Sequence, residues 1–85
     1  MSREEILKEL KKVLAPYTTN KEMLENIGDQ TDLIKDLKIN SANLVDIIID
    51  AEVKYNIEID NNSAEKIINV GSCIDVIIEK LNQNK

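Results

Sequence analysis

The segment Leu37-Lys38-Ile39-Asn40-Ser41-Ala42-Asn43-Leu44-Val45-Asp46 decides how the chain reads. A polar pause at Asn40-Ser41 separates an apolar stretch from a long amphipathic one. Asn is a good N-cap, because its side-chain oxygen accepts from a backbone N–H left unpaired in the first helical turn. The pattern therefore predicts a helix over 41–55 with Asn40 as cap. Ser41 then sits exposed at the positive end of the helix dipole, a favourable place for a covalently held phosphate. Taken alone, a serine after a capping Asn reads first as a second capping residue.

Working forward, Leu44, Ile47, Ile48, Ala51 and Tyr55 recur at helical spacing and form the expected core stripe. Ala42, Val45, Ile49 and Val53 lie on another side, interleaved with Asp46, Asp50 and Glu52. A helix buried on one stripe needs only one apolar face, so the second set means either wider burial or a contact surface. Beyond Tyr55, Ile57 and Ile59 alternate with Glu58 and Asp60, which predicts an extended piece with one Ile inward. A short helix is expected over 61–68, with Ala64, Ile67 and Ile68 apolar. Asn69 caps a last helix over 70–82, whose inner face holds Val70, Cys73 or Ile74, Ile77, Ile78 and Leu81. Asn82-Gln83-Asn84-Lys85 makes a polar tail.

Working backward, residues 3–14 predict a helix. Ser2 and Glu5 form a capping box, and Ile6, Leu7, Leu10, Val13 and Leu14 form one face. Lys11 and Lys12 sit where the dipole favours cations, and Pro16 stops the helix. Residues 17–40 form a long connection, and local structure is expected in a loop of that length. Thr19 or Asn20 caps a segment bearing Met23, Leu24 and Ile27, with Gly28 as terminator. Thr31 caps a further turn, with Leu33, Ile34 and Leu37 pointing inward.

Eighty-five residues make one domain, 1–85, with one small core. A chain of this size buries roughly 60–65% of its unfolded surface, which leaves no room for a deep catalytic cleft. Ile, Leu and Val dominate a palette without Trp or Phe, as suits a small helical bundle. The net charge of −5 argues against nucleic acid and anionic membrane surfaces as partners. Residues 41–65 hold six acids (Asp46, Asp50, Glu52, Glu58, Asp60 and Glu65) and the single base Lys54, so the whole excess follows Ser41. That asymmetry points to a basic protein partner. A single cysteine rules out an internal disulfide and fits a reducing compartment. With no run of transmembrane length and an N-terminus too acidic for a signal peptide, a soluble cytoplasmic monomer is expected.

The chemistry is narrowed mostly by exclusion. There is no histidine, which removes Ser-His-Asp and Cys-His arrangements and, with one cysteine, a zinc site. Counting a calcium loop from Asn56 puts Asn61 where Gly is needed and Ile67 where a bidentate Glu is needed. Cys73 reads as a small buried hydrophobe. Tyr17 and Tyr55 read as packing residues with outward hydroxyls. No metal and no catalytic residue is expected, and the chain is read as a non-enzyme.

Asp36-Leu37-Lys38-Ile39-Asn40-Ser41-Ala42, followed by Leu44-Val45-Asp46 and an aliphatic helix, resembles the acyl carrier proteins. Their hallmark is Asp-Ser-Leu at the start of the second helix. The likeness runs on through Glu52, Tyr55-Asn56-Ile57-Glu58-Ile59, Ala64-Glu65-Lys66-Ile67, Val70 and Ile74-Asp75, and covers about residues 30–80. The segment from Pro16 to Gln30 is longer than usual and matches poorly. The resemblance implies an all-α four-helix bundle with a long first connection and a short third helix. It implies a 4′-phosphopantetheine arm on Ser41, attached by a phosphopantetheinyl transferase and holding acyl groups as thioesters. It also implies docking of basic-surfaced acyl-processing enzymes on Val45, Asp46, Ile49 and Glu52, in a fatty-acid, lipid or polyketide-like pathway. An unmodified interaction module and an aminoacyl or peptidyl carrier are the alternatives. Three positions depart from the pattern: Asn40 stands for the hallmark Asp, Ala42 for Leu, and Lys38 for a usual glycine. They imply a specialised carrier.

Overall fold

The computed structural model describes residues 2–83. Five helical segments follow one another: α1 (Arg3–Leu14), α2 (Lys21–Glu25), α3 (Asn43–Tyr55), α4 (Asn61–Ala64) and α5 (Val70–Gln83). The three long ones form the bundle. α1 packs on α3 and α5, α3 packs on α5, and α2 lies against α1. Asn84 and Lys85 of the polar tail, with Met1, lie outside the described residues.

α1 starts as its sequence predicts. The Ser2 hydroxyl accepts from the Glu5 N–H at 3.2 Å and donates to the Glu5 carboxylate at 3.3 Å. Ile6, Leu10 and Leu14 are fully buried, while Leu7 and Val13 pack at the margin. α5 supplies the other large wall through Val70, Cys73, Ile74, Val76 and Ile77. Its N-cap is Asn69, whose side-chain oxygen accepts from the Ser72 N–H at 2.8 Å. The Ser72 hydroxyl in turn accepts from the Ile68 and Asn69 N–H groups, so the turn before α5 is satisfied twice over. Cys73 is buried, and the loss of solvation pushes its thiol pKa up to about 12. It is a core side chain.

The connection between α1 and α3 is ordered throughout. Asn20 caps α2 by accepting from the Met23 N–H, and Leu24 and Ile27 reach the core. Three expectations fail here. α2 ends at Glu25 with Asn26 as its C-cap, and Gly28 does not take a left-handed φ. The turn over 33–37 is capped by Asp32, not Thr31. The Asp32 carboxylate accepts from the Ile34 and Lys35 N–H groups at 2.9 and 2.8 Å, whereas the Thr31 hydroxyl accepts from Gly28 N–H. Those backbone bonds, with the Lys35 N–H first, hold the Asp32 carboxyl below its ordinary pKa. Leu33 and Leu37 are buried as expected, but Ile34 turns out to solvent.

An isolated antiparallel bridge, Asp32 to Asn69, ties this connection to the segment before α5. Leu33 N–H donates to Ile68 C=O and Val70 N–H to Thr31 C=O. Ile68 joins this bridge through its backbone, and its side chain is exposed. The bridge also sets the end of the short helix: α4 stops at Ala64 and its continuation to 68 is turn and extended chain. Ile57 is buried and Ile59 half-buried, as the alternation predicts.

Candidate functional site

Ser41 is placed by the two residues that anchor the chain before it. Leu37 and Ile39 are buried, and each contributes about 1.5–3 kcal/mol by leaving water. The Thr18 hydroxyl donates to Leu37 C=O, Asn20 Nδ2 donates to Asp36 C=O at 3.1 Å, and Ile39 N–H donates to Leu33 C=O. Leu37 in, Lys38 out, Ile39 in and Asn40 out is a fixed alternation, and it delivers Ser41 to the surface.

The helix begins two residues later than the sequence predicts. Asn40 does not cap α3; it makes a tight turn before it. Its side-chain oxygen accepts from the Ala42 N–H at 2.9 Å, and its carbonyl accepts from the Asn43 N–H at 2.8 Å. This is the local bonding that Asn side chains offer two residues on. Ala42 occupies the N-cap position of α3 and makes no side-chain cap bond. Ser41 C=O accepts from Leu44 N–H, so the Ser41 backbone is bound into the helix start. Its hydroxyl is exposed and makes no hydrogen bond among the described residues.

Lys38 departs from the ordinary in its backbone. Its φ is 58°, in the left-handed region, where a residue with a Cβ is strained by roughly 1–2 kcal/mol. Asn56, at φ 52°, shares the region, but it is the C-cap of α3, where Asn is a common choice.

The exposed side of α3 is an apolar ridge with fewer free acids than the sequence implies. Val45, Ile49 and Val53 are 59%, 49% and 78% exposed, one turn apart along the helix. The wider-burial reading of this set is therefore wrong; only Ile47 and Ala51 of α3 are fully buried, with Leu44, Ile48 and Tyr55 packed at the core margin. Asp46 is exposed and makes no ion pair or hydrogen bond among the described residues. Asp50 is engaged: the Tyr17 hydroxyl donates to it at 2.8 Å. Glu52 is half-buried, and its carboxylate accepts from the Ile59 N–H at 2.8 Å. Around Glu52 a cleft of about 350 Å³ opens between α3, the 58–60 segment and the end of α5, where Lys80 pairs with Asp60 at 3.3 Å. So the structure brings Val45, Asp46 and Ile49 together on one free face next to Ser41. It commits Glu52 to holding the loop.

The chain is 33% identical over 81 residues to an acyl carrier protein of Coprothermobacter proteolyticus, covering 95% of this chain and 96% of that one. It belongs to the acyl carrier protein family. An acyl carrier protein of Thermotoga maritima is 32% identical over 80 residues, which is 94% of this chain and 96% of the relative. Among solved structures, that of the Enterococcus faecalis acyl carrier protein superposes with a TM-score of 0.74 at 27% identity, covering 94% of this chain and 99% of that one. No family model matches. The family's small helical bundle is thus the fold of this chain, with the short α2 in its long first connection. No helix among the described residues is long and apolar enough to cross a membrane.

Two features escaped sequence reasoning. The tyrosine hydroxyls are not free: Tyr17 bonds Asp50 at the surface and Tyr55 bonds Glu9 at 2.9 Å, both across elements. The carboxylates they meet are 33 and 46 residues away in sequence, and no local spacing signals such pairs.

Proposed function

We propose that the chain carries acyl groups on a 4′-phosphopantetheine arm joined to Ser41 Oγ and presents them to partner enzymes through the exposed face of α3. The observation that carries this reading is the Ser41 hydroxyl itself: exposed, unbonded, and held at the start of a 13-residue helix by buried anchors on the preceding loop. The site fits the group. A phosphodiester brings one negative charge to the positive end of α3. The neighbouring side chain is the neutral Asn40, and the first acid of α3 is Asp46. When bound, the arm supplies a terminal thiol on which an acyl group is held as a thioester.

The chain's own residues supply position and recognition. Val45 and Ile49, with Asp46 between them, offer apolar contact beside a free carboxylate to a partner that carries a cation next to an apolar recess. The phosphopantetheinyl transferase is the first such partner, and acyl-processing enzymes of a fatty-acid, lipid or polyketide-like pathway follow. Cys73 takes no part, since its thiol is buried and held protonated. A lone buried thiol suits the reducing cytoplasm, the proposed place of action.

The test is intact-mass measurement after incubation with coenzyme A and a broad-specificity phosphopantetheinyl transferase. The reading expects a phosphopantetheine adduct on the wild-type chain and none on Ser41→Ala. Failure of several transferases to load a folded wild-type chain sinks it in favour of an unmodified interaction module.

A further inference from the structure

We propose that Lys38 is the counter-cation of the phosphodiester on Ser41, a positioning residue that fixes where the arm leaves the surface. This rests on the attachment proposed above. Three independent features of the fold point to it.

First, the lysine occupies a left-handed backbone position, φ 58°, that glycine fills without strain. Strain kept next to a functional group calls for a function of the strained residue. Second, its side chain is exposed and makes no ion pair or hydrogen bond among the described residues, so its charge has no structural employment. Third, its neighbours Leu37 and Ile39 are both buried, so the backbone that carries it is fixed and Lys38 must project on the outer side with Asn40 and Ser41. Three residues span at most about 11 Å. A four-carbon stem on one side and a phosphoryl group on the other close much of that distance.

The other charges near the site do not compete. Asp36 accepts from the Asp32 N–H at 2.8 Å, and Asp46 lies more than one helical turn beyond Ser41. Lys35 is the next cation, at the far side of the turn that Asp32 caps. With Asn40 neutral, the charged residue nearest Ser41 along the chain is Lys38, three residues before it, while Asp36 and Asp46 are each five residues away.

The experiment compares the Lys38 side-chain pKa in apo and loaded protein, read from its ε-methylene NMR signal through a pH titration at about 0.1 M salt. Lys54 serves as internal reference. It sits eleven residues beyond the start of α3, about 16 Å along the axis, outside a Debye length of about 10 Å at 0.1 M salt. Intact mass first establishes loading. The proposal expects the Lys38 pKa to rise by about 0.3 or more on loading while Lys54 stays put, with the difference shrinking at about 1 M salt, where the Debye length is about 3 Å. A second arm uses Lys38→Gln, checked by circular dichroism for an unchanged fold: the 31P signal of its loaded form should move from that of the wild type. Equal shifts of Lys38 and Lys54, or a 31P signal indifferent to Lys38→Gln, overturn the role of Lys38 and leave attachment standing. Absence of an adduct in the mass spectrum removes attachment and the Lys38 contact together.

Discussion

The Tyr17 hydroxyl donates a 2.8 Å hydrogen bond to the Asp50 carboxylate, and so ties the long first connection to the outer side of α3. The bond has two consequences. It holds the connection that leads to Ser41, and it withdraws one carboxylate from the face proposed to meet partners. The same pairing raises the Tyr17 pKa, with the Asp50 bond as the leading cause. Tyr17→Phe should lower stability, read as a fall in melting temperature. An unchanged thermal transition would show the bond to be solvent-equivalent.

Partner recognition should depend on the apolar ridge more than on charge count. Ile49→Ser removes an exposed anchor and should weaken docking by about 1–3 kcal/mol with little change in helical circular dichroism. Asp46→Asn should reduce both affinity and its salt dependence, by about 0.2–1 kcal/mol as expected for an exposed pair. Asp50→Asn should do less, because Asp50 is already engaged by Tyr17. The KM of a phosphopantetheinyl transferase for each variant measures this, and an Asp50 effect larger than that of Asp46 would reverse the ranking.

Glu52 acts as a strap on the loop after α3. Its carboxylate receives the Ile59 N–H, and Asp60, one residue on, pairs with Lys80 of α5. Glu52→Ala leaves that half-buried amide without its partner, at a cost of about 1–3 kcal/mol. Glu52→Gln keeps an acceptor and should cost less. Hydrogen exchange at the Ile59 amide should accelerate by about tenfold or more in Glu52→Ala, where each 1.4 kcal/mol of lost protection is a factor of about ten. Slow exchange in that variant would show that another group holds the loop.

Tyr55 gives the fold an alkaline limit. Its pKa is raised first by burial and then by the Glu9 carboxylate, 2.9 Å from its hydroxyl. A group whose folded pKa lies above its unfolded value contributes stability that is complete below the unfolded value, about 10 for tyrosine. That contribution is lost as pH rises toward the folded value. Wild-type stability should therefore fall above about pH 10, and Tyr55→Phe should be less stable at neutral pH but flatter in the alkaline range. Denaturation curves across about pH 8 to 11 for the two chains, overlaid, would decide it.

How much of this was legible in advance follows from how local each cause is. The three long helices rest on a 3.6-residue apolar period that the sequence carries openly, as in Ile6, Leu10 and Leu14. The Asn69 and Ser2 caps rest on bonds within three residues. The polar pause at Asn40-Ser41 was legible because it interrupts the apolar pattern, yet that pattern alone reads Ser41 as a cap, and its proposed role as an attachment site comes from the family resemblance. Choices between adjacent polar residues were not legible: Thr31 and Asp32 are both good caps, and only the Asp32–Asn69 bridge settles which one faces the turn. The same bridge engages the Ile68 carbonyl and stops α4 early. The engagement of Asp50 and Glu52 was hidden for a similar reason, since their partners belong to other elements.

The two glycines make a matched pair of tests, and they differ for a reason that composition does not show. Gly71, in the first turn of α5, donates its N–H to Asp29 C=O at 2.9 Å. A Cβ at that position would lie 2.9 Å from the same carbonyl oxygen and 3.0 Å from the Asp29 Cβ. Backbone cannot yield there cheaply, because the Thr31–Val70 bond follows two residues on. Gly71→Ala should therefore cost about 1–3 kcal/mol, as overpacking typically does. Gly28 faces open space: a Cβ there would meet no atom within 4 Å, and the residue has no left-handed φ. Gly28→Ala should be neutral or stabilise by about 0.4–1 kcal/mol through the unfolded chain. Thermal denaturation of the two variants should move in opposite directions or leave Gly28→Ala unchanged; a loss of stability in Gly28→Ala equal to that in Gly71→Ala would contradict the close approach as the cause.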